Sequence, residues 1–250
     1  MISSVFHISA ESLRFTCKLF LIAFFILFSF GALAQEIPEV HIVGKMSDVM
    51  WKGDLKGKIM IDTLQQGEKL YGLGPLENLT GEILIWKGRP YVSSINSTGK
   101  MLVETKKSVK APFFAYAYCD EWNQLQLPDT ILTMNDLEIF LEKITTGFNA
   151  PFLFRISAKV DSASLHVVNL PHDSKVRSPD DAHKGRVSFL IQNEEVLALG
   201  FFSTRHKTIF THHDTFLHLH LMNSDQSKMG HLDTCRFKKG SITLFLPRIQ

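Results

Sequence analysis

Cysteine is scarce in this chain. Of three in 250 residues, Cys17 falls in an N-terminal apolar segment, and only Cys119 and Cys235 follow it. Neither a C-x-x-C pair nor a Cys/His metal spacing is present, which argues against a cysteine-held zinc module and a dithiol redox motif. The two remaining cysteines read as small buried apolar residues, with a disulfide in an oxidising compartment as the alternative. Charge of one sign is lacking too. Lys and Arg number 27 against 25 Asp and Glu, scattered without a basic block, so nucleic acid is not the expected partner. Gly72-Leu73-Gly74 is not followed by a third glycine and an opening helix, and so does not make a nucleotide-phosphate loop. Trp and Tyr are few, but the 20 Phe fall largely in the N-terminal apolar segment and in strand-like runs, as core residues do.

One long apolar run is present, and it lies at the N-terminus. Leu19 to Phe30 is unbroken, preceded by Arg14 and Lys18 and followed by Gly31-Ala32-Leu33-Ala34. Ala32 and Ala34 form the small-x-small pattern of a signal-peptidase site, which predicts a signal peptide over 1–34 and cleavage before Gln35. The run is short for a membrane span, which takes about 20 residues, so no stable span is expected after cleavage. No cysteine follows the small residues, so a lipid anchor is not indicated. The remaining chain, 35–250, is expected to be exported, to the periplasm or the medium.

Beyond the leader the pattern is β-rich. Val40–Val43 reads as a first strand, Met46–Trp51 as a helical turn closed by Gly53, and Gly57–Ile61 as a strand followed by a short helix over Asp62–Gly67. Strands are expected over Glu82–Trp86 and Arg89–Ser94, and one aromatic strand over Ala111–Trp122. Leu132–Ile144 has apolar residues at helical spacing and is the clearest helix, with Gly147 able to end it. Pro151–Ile156 and Leu165–Leu170 read as two strands joined by a turn, and the polar stretch Pro171–Gly185 as a surface loop. Five strands then follow: Arg186–Gln192, Val196–Ser203, Thr215–Met222, His231–Phe237 and Ile242–Leu246. The expected class is α+β, with mixed and antiparallel sheets, few helices and two closely packed subdomains, 35–170 and 186–250.

The densest chemistry sits in Phe216-Leu217-His218-Leu219-His220-Leu221. In a strand, residues two apart share a face, so His218 and His220 stand together, with the leucines opposite. His231 follows after the polar turn 223–228. If it lies on the adjacent antiparallel strand, three imidazoles converge with an open position, as in a catalytic His₃ zinc site. His206, His212 and His213 lie just upstream, as solvated loop residues or as the border of this site. Chemistry at such a metal needs an acid or base nearby. Glu82, opening a strand in the apolar context Gly81-Glu82-Ile83-Leu84-Ile85, is the carboxylate singled out, since buried carboxylates are uncommon unless paired or functional.

These stretches resemble the α-acetolactate decarboxylase family over most of the chain after residue 34. Tyr71-Gly72-Leu73-Gly74 leading to Leu79-Thr80-Gly81-Glu82 is similar to the family's Gly-Ile/Leu-Gly-Thr-Phe and Leu-Asp-Gly-Glu blocks. Ala111-Pro112-Phe113, Phe152–Ile156, Leu217-His218-Leu219-His220 and Gly230-His231 resemble its later blocks, in the same order. The resemblance implies a lyase that converts 2-acetolactate to acetoin and CO₂, with Zn²⁺ held by His218, His220 and His231 and Glu82 acting as proton donor or positioner. It implies a small 2-hydroxy-3-oxo acid as the partner. Oligomeric state is left open, a homodimer being one candidate. Two departures stand out. A family arginine falls on Val168, with His166, His172 and Arg205 as the cations that could compensate, and the family's acidic C-terminal tail has no counterpart before Gln250. A non-catalytic zinc- or ligand-binding homologue, a relative acting on a different 2-hydroxy-3-oxo acid and a zinc hydrolase are the alternatives.

Overall fold

A computed structural model describes residues 37–65, 67–146, 150–211 and 215–248. The described residues form one compact unit. Two larger sheets carry most of the chain. A six-stranded sheet has the order β1-β8-β3-β4-β5-β6, built from His41–Val43, Phe114–Tyr118, Leu70–Pro75, Glu82–Trp86, Arg89–Ile95 and Met101–Thr105. A seven-stranded sheet runs β12-β13-β14-β10-β15-β9, from Glu195–Phe202, Leu217–Asn223, Met229–Phe237, Phe152–Val167, Thr243–Pro247 and Trp122–Gln126, with β11 (Val187–Gln192) also on β10. β2 (Ile59–Met60) and β7 (Lys110–Ala111) make a two-stranded ribbon. The helices are α1 (Met46–Lys52), α2 (Met134–Ile144) and α3 (Pro179–Ala182). Every pairing between these strands is antiparallel. The expected mixed character therefore shrinks to one isolated parallel bridge, Lys207 with Thr211. No described helix is long and apolar enough to cross a membrane.

Several elements follow from local chemistry. α1 ends where Gly53 adopts φ 64°, a conformation glycine reaches without a Cβ penalty. α2 begins with a capping box: Thr133 accepts from the Asp136 N–H at 3.2 Å, and Asp136 accepts from the Thr133 N–H at 2.9 Å. Its apolar face buries Leu137 and Leu141. The Asp62–Gly67 helix contracts to a 3₁₀ turn, Ile61–Thr63. Gly72 and Gly74 lie inside β3, where a Cβ would come within 2.6 Å of the Phe114 ring and 2.5 Å of the Phe113 carbonyl. Their job is close strand packing.

Two expectations change. The aromatic run Ala111–Trp122 is three strands rather than one. β7 ends at Ala111 just before Pro112, β8 stays in the six-stranded sheet, and the chain crosses at Cys119–Glu121 to start β9 in the other. The turn expected between Ile156 and Leu165 is absent. β10 runs unbroken for 16 residues, because Ala158 and Val160 are buried, alternating with the half-buried Ser157 and Lys159, and no glycine or proline interrupts. It pairs with β11 and β12 along one edge and with β14 and β15 along the other. Since β12-β13-β14 are themselves paired in series, the ladder closes on itself. The 171–185 stretch marks no change of sheet, because β10 before it and β11 after it are partners.

The closed ladder surrounds a core that includes Phe154, Leu219, Leu221, Leu232 and Leu244. Phe154 lies opposite Gly200 across β10 and β12. A second core, with Tyr71, Leu84, Phe201 and Met222, joins the two large sheets. Phe154→Ala should lower unfolding free energy by about 3–5 kcal/mol, whereas Leu190→Ala, on a side chain 54% exposed, should change it by less than about 0.5 kcal/mol. Urea denaturation of both variants checks this, and comparable losses would contradict the assigned core.

Candidate metal centre

β13 presents His218 and His220 on one face, while Leu217, Leu219 and Leu221 enter the core of the closed ladder on the other. β14 runs antiparallel beside it, with His231 directly opposite His220. The three imidazoles converge. Ring centroids lie 5.3 Å apart for His218–His220, 5.0 Å for His218–His231 and 5.6 Å for His220–His231. One ligand nitrogen from each falls within 4.8 Å of the others. All three are buried, His220 completely. This donor set fits a borderline-soft divalent ion such as Zn²⁺, which takes neutral imidazoles at about 2.0–2.1 Å. The centre is built mainly by strand periodicity and a single cross-strand register. Gly230 contributes by its lack of a side chain: a Cβ there would come within 2.4 Å of the His166 carbonyl on β10.

Glu82 arrives from the six-stranded sheet. It opens β4, is 3% exposed, and places Oε2 3.6 Å from His220 Nε2. That separation is too long for a hydrogen bond. Its Oε1 accepts the Val168 N–H at 3.3 Å. Burial pushes the Glu82 carboxyl up to about 8; the Val168 N–H opposes the rise and the negative charge of Asp233 adds to it. Val168 thus serves the site through its backbone, while its side chain packs with Leu79, Phe113 and Val176.

A fourth histidine extends the row. His166 on β10 lies opposite His231, with ring centroids 4.9 Å apart. Its Nδ1 is 2.7 Å from Asp233 Oδ1, and Arg186 Nη1 approaches the same oxygen at 3.6 Å. Of the cations named as compensation for Val168, His166 is at the site, His172 is exposed beside Asp173, and Arg205 is exposed in the loop after β12. His206 is engaged elsewhere, 2.7 Å from the Ser203 hydroxyl and stacked on Phe210. His212 and His213 lie outside the described residues. Asp233, His183 and Arg186 were not picked out from sequence. Asp233 lies two residues from His231, but its contact with His166 depends on a pairing that no local pattern reveals. Cys119 and Cys235 are both free and buried, in separate cores.

The model of the alpha-acetolactate decarboxylase family matches residues 43–246. The chain belongs to that family. Solved acetolactate decarboxylases share the fold. The enzyme from Bacillus subtilis subspecies spizizenii is 18% identical with a TM-score of 0.68, over 85% of this chain and 87% of that one. The enzyme from Bacillus subtilis strain 168 is 17% identical with a TM-score of 0.67, over 84% and 86%. A Staphylococcus aureus protein of unknown function, described as similar to alpha-acetolactate decarboxylase, is 15% identical with a TM-score of 0.63, over 84% and 85%. No curated protein sequence matches. His218, His220 and His231 converge, with Glu82 beside His220, while Val168 lies against apolar neighbours.

Glu82 gives the metal-free protein a pH signature. Its folded pKa stands above the ordinary 4.5, so the stability carried by its protonated form is complete below about pH 4.5 and is lost as pH rises through about 8. Glu82→Gln should remove that loss. Its unfolding free energy should gain on the parent's by about 1.4 kcal/mol per pH unit between those limits. Urea titrations in chelator at several pH values measure the difference, and parallel curves would show that Glu82 ionises alike in both states.

Proposed function

We propose that this chain is a zinc-dependent decarboxylase that converts 2-acetolactate to acetoin and CO₂. The observation that carries the reading is the convergence of three histidines with a buried glutamate on the scaffold of this decarboxylase family. His218, His220 and His231 would hold the ion. When bound, zinc supplies Lewis-acid charge that stabilises the electron pair left at C2 when CO₂ departs.

The chain's own residues account for the rest. The bond from C2 to the carboxylate carbon breaks, its electron pair stays on C2 in conjugation with the neighbouring ketone, and one proton joins C2 to give acetoin. Glu82 is the group placed to deliver that proton. The Val168 N–H fixes one carboxyl oxygen, leaving the other turned toward His220. Met46, Leu79, Phe113 and Val168 line the small recess around Glu82, His218 and His231, an apolar wall that keeps bulk water from competing as proton source.

A second reading, a zinc-binding member without turnover, is favoured by one observation: Val168 stands where the family resemblance places an arginine. Export is a further part of the proposal, supported by the apolar run and small-residue pattern before Gln35. Protein recovered from outside the cytoplasm should begin at Gln35 on N-terminal sequencing; retention of residues 1–34 would contradict it.

Purified zinc-loaded protein given racemic 2-acetolactate should release acetoin. Glu82→Gln should keep one equivalent of zinc and lose about 10²- to 10⁴-fold in rate, and His220→Ala should lose the metal. No acetoin with zinc fully bound would overturn the acetolactate decarboxylase reading, and stoichiometric zinc in His220→Ala would break the ligand assignment.

A further inference from the structure

β13 and β14 are paired only over His220–Met222 and Met229–His231. Toward the start of β13 they separate, and a cavity of about 380 Å³ opens between them. Leu217 and Leu219 line one side, Leu232 and Asp233 the other, and His231 lies within its wall. It is roomy enough for a small organic acid, which the 30 Å³ recess beside Glu82 is not. Three residues line both spaces: His166, His183 and His231.

The polar lining of the larger cavity is lopsided. Arg186 is its one Lys or Arg, and a guanidinium stays charged at any working pH. Arg186 immediately precedes β11, whose Val187 pairs with Val167, so it emerges beside the Glu82-binding end of β10. Asp233 approaches it at 3.6 Å without a hydrogen bond while engaging His166 at 2.7 Å. That arrangement steers the guanidinium yet leaves its fork of donors open to a second carboxylate. His183 does not substitute for it. Burial, then the charges of His166 and Arg186, hold its pKa below the usual histidine range. Glu138, the other acid of the lining, is engaged with the Thr215 hydroxyl.

We infer that Arg186 binds the carboxylate of a small 2-hydroxy-3-oxo acid, seating its acid end in this cavity and its oxygenated carbons at His231. The inference rests on the proposed function for its substrate class, and gives that substrate an orientation: the bond to be broken points away from the metal ligands, toward the cavity.

The test uses a probe that needs no turnover. Zinc-loaded parent, Arg186→Gln and Arg186→Lys proteins are titrated calorimetrically with 2-hydroxy-2-methylpropanoate and with its uncharged amide. Metal content and thermal unfolding confirm that each variant is folded. The acid should bind the parent. Arg186→Gln should weaken the acid by about tenfold or more and leave the amide unchanged, and Arg186→Lys should recover part of the loss. Equal weakening of acid and amide, no change in either, or no binding of the acid to the parent would overturn the assignment. If acid binding follows Arg186 while 2-acetolactate yields no acetoin, the carboxylate site stands and the decarboxylase reading falls. If acetoin forms with an unchanged KM in Arg186→Gln, the reverse holds.

Discussion

The fold depends on the register of one strand. β10 is bonded on both edges, to β12 and β15 near its start and to β11 and β14 near its end. A strand held this way has little freedom to slip, because a shift of one residue would turn every side chain to the opposite face in four ladders at once. The histidine cluster inherits that constraint. His166 on β10 faces His231 on β14, which faces His220 on β13, so three neighbouring strands present one imidazole each in a line. One irregularity makes this compatible with the core. Between the pairs Leu165–Leu232 and Ser164–Thr234, β14 carries an extra residue, Asp233. A bulge of this kind re-aims side chains. Here it returns Cys235 to the core with Leu232 and Ala163, while Asp233 stays within reach of His166 and Arg186.

Two buried ionisable side chains are handled by different means. Arg155, only 8% exposed, is on β10 where the two large sheets meet. Its guanidinium carbon sits 4.0 Å from the Trp122 ring centroid and 4.9 Å from that of Phe245, and it donates to the Tyr71 hydroxyl at 3.1 Å. Among the described residues no carboxylate is ion-paired with it. Ring faces offset the desolvation, and the result is a structural joint between sheets. Among the described residues, Glu82 accepts one backbone N–H, from Val168, and has His220 Nε2 at 3.6 Å. A buried carboxyl held neutral by its surroundings costs less than one held charged. The difference separates a charge held by ring faces from a carboxyl held neutral.

The parts of this protein that were legible in sequence obey short-range rules. Strand alternation put His218 and His220 on one face, and the capped α2 and most later strands were visible as periodic runs. The readings that changed share a cause. β10 looked like two strands because Ser157–Ser164 is rich in small polar residues, the composition of a turn; only its tertiary pairing shows that Ala158 and Val160 are buried. The Ala111–Trp122 run looked uniform because aromatic residues suit either sheet, and the crossing at Cys119–Glu121 leaves no compositional mark. β14 hides its alternation, since the extra Asp233 puts Leu232 and Cys235 three apart. Asp233 and Arg186 escaped notice because each meets the site across a strand pairing that no local pattern encodes, and His183 because it reaches His166 from the end of α3, outside any strand.

Val168 connects these points. A cation at that position would have to leave the cluster of Leu79, Phe113 and Val176 in which the side chain is packed, and the wall beside Glu82 would lose its apolar character. With Val168 there, the wall around the buried carboxyl stays apolar, and under the proposed reading the charge that meets the substrate's acid group comes from elsewhere. The neighbouring strand offers it. Arg186 lies next to β10 at the same level, beyond the Val167–Val187 pair, and faces a cavity rather than the Glu82 recess. Keeping the guanidinium out of the Glu82 recess has a physical consequence. A positive charge close to Glu82 would favour its ionised form and, under the proposed reading, take away the proton it gives. Separating the two by one strand keeps a charged guanidinium and a neutral carboxylic acid in two neighbouring spaces that share His166, His183 and His231.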